Sequence, residues 1–102
     1  MMTTPDSSIL GSTVSINDDV LFQELTGEGV LLNLKTGVYL GLNQVGTRIW
    51  QLFEDRPVLS RIVDSIVTEF DVEREQCAMD LVALVNEMTE HDLVTLTPPD
   101  SP

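Results

Sequence analysis

Histidine and cysteine, the residue types that most often carry catalysis or bind metal, occur once each in this chain, as His91 and Cys77. A single histidine builds neither a paired-histidine site nor a histidine metal cluster within one chain. His91 falls near the end of a helical pattern, where an imidazole meets the helix dipole or solvent sooner than a substrate. Cys77 lies mid-helix with no histidine or basic neighbour in sequence to lower its pKa, so it reads as a buried structural thiol. A lone cysteine also excludes an internal disulfide framework, which fits a cytoplasmic address. Gly27-Glu28-Gly29 is too short for a phosphate loop and lacks the lysine or helix start that should follow; it reads as a turn. No catalytic residue, metal or cofactor is expected, and the chain is read as no enzyme.

Charge narrows the partners. Five basic and 17 acidic residues give a formal net charge of −12 over 102 residues. Non-specific nucleic-acid binding needs Lys and Arg to neutralise phosphates, and Lys35, Arg48, Arg56, Arg61 and Arg74 are scattered without a patch. Anionic membrane surfaces are disfavoured in the same way, and no apolar run approaches the roughly 20 residues that span a bilayer. Neither nucleic acid nor membrane is an expected partner. Hydrophobic residues make up 42% of the chain, enough for one core in a single domain. Asp64-Ser65-Ile66 resembles the Asp-Ser-Leu of acyl carrier proteins, which are also small and acidic. Those domains place the serine at a helix start, whereas Ser65 sits between the core positions Val63 and Ile66.

The elements that must position any site divide into a strand half and a helical half. Val20 to Thr26, Val30 to Leu34 (with Val30, Leu32 and Leu34 on one face) and Val38 to Leu42 alternate with period two. Gly-containing connections at 27–29 and 35–37 imply antiparallel hairpins and a three-stranded meander. Val14-Ser15-Ile16 adds a short extended piece before it, and Leu93 to Leu96 another at the end. Asn43 is placed to cap a helix carrying Val45, Ile49, Trp50, Leu52 and Phe53. Pro57 precedes a second helix, whose Leu59, Ile62, Val63, Ile66, Val67 and Phe70 follow helical spacing. A third helix is expected over about 73–90. Residues 1–12 read as a flexible lead-in, 13–96 as the domain, and the Pro-rich 97–102 as a flexible tail.

The third helix is apolar in two directions. Ala78, Leu81, Val85 and Met88 form one stripe; Cys77 and Leu84, with the polar Asp80 and Glu87, form an offset second. One stripe suffices to bury a helix on a core, so the second points either to a further groove or to a helix sandwiched deep within a small core.

Gly29 to Asn43, followed by Gly46-Thr47-Arg48-Ile49-Trp50-Gln51-Leu52-Phe53, resembles the PqqD family, and the likeness runs through Ile62-Val63, Asp80-Leu81 and Leu84-Val85 to Leu93-Val94. These are precursor-peptide recognition elements of ribosomal peptide biosynthesis. The resemblance implies an α+β, winged-helix-like fold, with a three-stranded antiparallel sheet followed by three helices. It implies a non-catalytic chaperone that takes the leader region of a precursor peptide as a fourth strand, between the third strand and the third helix. The residues so implicated are Val38, Tyr39, Leu40, Gly41 and Leu42, with Cys77, Asp80, Leu81, Leu84, Glu87 and Met88. The implied partner is a separate modifying enzyme, either a radical enzyme or a leader peptidase of the lasso-peptide type. A strand-swapped homodimer is a further arrangement open to an edge-strand module. The competing reading is a winged-helix DNA-binding regulator, which the acidic third helix disfavours.

Overall fold

The computed structural model describes residues 9–55 and 57–98. Among the described residues five strands and three helices run in the order β1 (Thr13–Ile16), β2 (Val20–Leu25), β3 (Glu28–Asn33), β4 (Tyr39–Leu42), α1 (Gln44–Phe53), α2 (Leu59–Glu69), α3 (Arg74–Glu90) and β5 (Val94–Thr97). The architecture is α+β: a β2-β3-β4 meander followed by three helices, as expected, plus a two-stranded β1-β5 ribbon. The ribbon joins the two extended pieces recognised at opposite ends of the sequence, pairing Val14 with Leu96 and Ile16 with Val94.

The β2–β3 connection is tighter than its glycines suggest. Leu25 pairs with Glu28, so the loop is Thr26-Gly27 alone, with φ of 51° and 84°. Two positive φ values are what a two-residue hairpin turn needs to match the twist of its strands. The turn expected at 27–29 is therefore one residue earlier, and Glu28 and Gly29 belong to β3. Gly29 is buried, and a Cβ there would collide with the Phe22 ring. Its N–H donates to the buried Thr47 hydroxyl at 2.8 Å, which docks α1 against the sheet.

Register decides the faces. Phe22, Leu31 and Leu40 form a cross-strand row toward the core, with Leu31 fully buried. Val30 and Leu32 share the opposite, outer face, and Leu34 lies beyond the strand in the turn. Asn43 caps α1 as expected, its Oδ1 accepting from the Gly46 N–H at 2.8 Å. Trp50 and Phe53 meet edge-on at 5.8 Å between ring centres, a favoured aromatic geometry. Leu59, Ile62, Val63 and Ile66 bury the predicted stripe of α2. The Arg48 guanidinium grips the Glu69 carboxylate twice, at 2.8 and 3.0 Å, and holds α1 to α2. That grip lowers the Glu69 pKa and raises that of Arg48.

Two boundaries are corrected. Residues 9–12 are no loose lead-in: Ile9 and Leu10 pack on the core, and the Ser12 and Leu10 carbonyls accept from the Leu59 and Ser60 N–H groups at 3.0 Å. Thr97 pairs with Thr13 and so belongs to the domain. The remaining expectations for 1–8 and 99–102 lie outside the described residues. Among the described residues no helix is long and apolar enough to cross a membrane.

Candidate functional site

β4 pairs with β3 alone among the described residues, so its other edge is free. The Asn33 N–H donates to the Val38 carbonyl at 2.9 Å, which makes those two a bonded pair. Alternation along an antiparallel ladder then turns Leu40 toward β3 and sends the backbone groups of Tyr39 and Gly41 outward. Two N–H donors and two carbonyl acceptors are thus displayed on the open side.

A cleft of about 370 Å³ adjoins the C-terminal half of that edge. Its floor is apolar and buried, made by Leu42 of β4, Ile49 of α1, Ile66 of α2 and Cys77 of α3. Leu84 and Val72 extend the apolar wall, and Gln76 and Asp80 form a polar lip, joined by an amide-to-carboxylate bond of 2.9 Å. The remaining wall is the start of α1, from Asn43 to Gly46. Burial, then the nearby Asp80 carboxylate, raises the Cys77 pKa, with Arg74 opposing. The thiol is protonated at neutral pH and a poor nucleophile. It contributes shape and apolar surface.

Of the residues implicated by sequence, Gly41, Leu42, Cys77, Asp80 and Leu84 line this cleft together. Leu81 and Met88 do not: both are 0% exposed in the core and are corrected from the site. Helical geometry explains the error. Positions 77, 80 and 84 centre on one side of the helix, whereas 81, 85 and 88 centre about 70° further round, toward the core. Glu87 is exposed on α3 beyond the cleft lining, Leu40 packs inward against the core, and Val38 precedes the strand. Tyr39 is turned to the outer sheet face, as its place in the alternation requires. The contributions of Val45, Ile49, Ile66, Val72 and Gln76 were missed. Ile49 and Ile66 carried only the signal of core residues, and nothing local distinguishes a core residue from a cleft floor.

Asn33 holds the two walls together from behind. It is buried, and its Nδ2 donates to the carbonyls of His91 at 2.8 Å and Asp92 at 3.3 Å, past the end of α3. Its Oδ1 accepts from the Lys35 and Thr36 N–H groups at 2.9 and 3.2 Å, in the turn that leads into β4. Asp92 adopts φ of 57°, while the Leu93 and Asp92 N–H groups return to the Met88 and Thr89 carbonyls. This is a Schellman stop built without glycine.

Among the described residues no group of three or more His, Cys, Asp or Glu side chains is placed to hold a metal ion. The arrangement offers main-chain pairing along an edge and an apolar pocket beside it.

The fold is shared with proteins of known structure. The structure of TbiB1 in complex with the TbiA(beta) leader peptide matches at a TM-score of 0.74 and 34% identity, covering 86% of this chain and 99% of that one. A lasso peptide synthetase B1 complexed with the leader peptide matches at a TM-score of 0.71 over 80% of this chain and 96% of that one; at 23% identity it speaks for the fold alone. Neither is described as a winged helix, so that part of the expectation gains no support. No curated protein matches the chain. Residues 28–94, well over half of the chain, match the family described as coenzyme PQQ synthesis protein D (PqqD), and this protein belongs to that family.

Proposed function

We propose that this protein is a non-catalytic carrier that takes the leader segment of a ribosomally made precursor peptide as a fourth strand on the open edge of β4 and presents it to a separate modifying enzyme. The observation that carries the reading is the free Tyr39–Gly41 edge beside an apolar cleft. Its similarity to TbiB1, solved with a leader peptide bound, supports the same reading. Strand addition is an established way to bind extended peptides, with main-chain bonds for affinity and pockets for choice of side chain.

Magnitudes show why the cleft matters. Each main-chain bond contributes about 1 kcal/mol net, because bonds to water are given up. The four groups on the edge therefore supply about 4 kcal/mol, which alone corresponds to roughly millimolar binding. Useful affinity must come from apolar side chains of the leader seated over Leu42, Ile49, Ile66 and Cys77. Asp80 at the lip suits a Lys or Arg of the leader. The modifying step belongs to the partner enzyme, a leader peptidase of the lasso-peptide type in our reading, and the carrier contributes local concentration in the cytosol.

Titration of the labelled protein with the leader peptide of its precursor tests this by NMR. Shifts are expected at residues 38–42, 72–84 and the start of α1. Leu84→Asp places a charge at the pocket wall and should weaken the peptide at least about tenfold, with the far-UV spectrum kept because Leu84 is only half buried. Shifts confined to the outward face of α2, or undiminished binding by Leu84→Asp, would refute the site.

A further inference from the structure

The sheet has a second, uncovered face. Leu25 is 73% exposed, Tyr39 71%, Leu21 46% and Val30 42%. Together with Leu32 they border a shallow groove of about 380 Å³ on the side away from the core. Single exposed apolar residues are ordinary, but a contiguous patch rimmed by polar groups marks an interaction surface. The register adds a direction: Leu21, Leu32 and Tyr39 form one cross-strand row that runs to the open edge of β4. A strand added at that edge continues the row, because its alternate side chains fall on the same outer face. The patch and the bound peptide then make one surface.

Charge selects the occupant. Asp18 and Asp19 precede β2 and Glu28 lies at the hairpin end, so both ends of the patch are acidic; the nearby Lys35 ammonium is already 3.7 Å from Asp19. A second copy would bring like charges against these rims and set a net −12 against −12. We infer that the outer face of β2-β3-β4, completed by the captured strand, docks the modifying enzyme through an apolar patch bordered by Lys and Arg on that enzyme. The enzyme touches carrier and leader at once, and so binds the loaded carrier more tightly than the empty one. By linkage it tightens the leader by the same factor. This rests on the leader-carrier reading above, and it adds the second surface.

The test uses the purified modifying enzyme, the leader peptide, and the Leu21→Lys and Val30→Lys variants, both at exposed positions outside the cleft. Leader affinity should match wild type in both variants, while affinity of the loaded carrier for the enzyme falls at least about tenfold, within the usual span of such couplings. Wild type should bind the enzyme at least about fivefold more tightly with leader than without. Val30→Thr, which keeps β-branching, reads a smaller loss in the same direction should lysine disturb the strand. Enzyme affinity that ignores both the variants and the leader overturns the inference while leaving the carrier reading intact. So does a wild-type dimer in light scattering that Val30→Lys dissociates, since a second copy then owns the face. Absence of leader binding by wild type is failure of the carrier reading itself, and this inference falls with it.

Discussion

Asn33 is the residue on which the site's geometry turns, although it touches no part of the cleft. Its side chain uses both donors and both acceptor positions to tie the β3–β4 turn to the end of α3. Asn33→Ala takes a partner from four backbone groups, of which the Asp92 carbonyl alone keeps another, the Asn17 amide at 2.7 Å, and should cost roughly 2–4 kcal/mol, seen as a lower urea midpoint. Asn33→Asp, usually a mild change, should cost at least as much, because a carboxylate then faces the His91 and Asp92 carbonyls. An Asp variant as stable as wild type would contradict the clamp. Cys77 offers a second probe. Its raised pKa means the folded protein holds the thiol proton to higher pH than the unfolded chain does, so ionisation destabilises the fold as pH climbs past the unfolded value. Alkylation by iodoacetamide should stay slow at neutral pH, accelerate only above the ordinary thiol range, and slow further when leader covers the cleft; mass spectrometry reads each rate. The spacing 77, 80, 84 was legible in the chain. Leu81 and Met88 came into the site with the family resemblance, although their spacing already set them on the other stripe.

At the level of elements, the hairpins and helices follow from local pattern, and the departures have local causes. Thr26 occupies a left-handed position that a β-branched residue adopts only under strain. Thr26→Asn produces the Asn-Gly pair favoured by such turns and should stabilise the fold by about 1 kcal/mol, raising the thermal midpoint. An unchanged or lower midpoint would mean that the Thr26 hydroxyl, which donates to the Leu25 carbonyl, offsets the strain. The β1-β5 ribbon was not legible as a pair. Thr13 and Thr97 are joined across nearly the whole chain, and neither short segment specifies a partner by its own alternation.

For the whole molecule, the strong negative charge governs encounter more than residence. A leader bearing Lys or Arg opposite Asp80 should associate faster at low ionic strength, and its association rate should fall as salt screens the field, with the dissociation rate little changed. Stopped-flow measurements at two salt concentrations separate the two. An association rate indifferent to salt would remove Asp80 and the wider acidic surface from recognition. The same charge disfavours self-association.

The amino-acid order by itself determined which stretches become strand or helix, and that the helices are amphipathic. Those properties depend on neighbours a few residues apart, through backbone preference and the alternation of side chains. Only the tertiary structure decided that β4 keeps an open side, that Ile49 and Ile66 floor a cleft instead of closing a core, and that Val30 and Leu32 face outward. Each of these depends on which distant surface comes to lie against which, and burial is a property of the assembled whole.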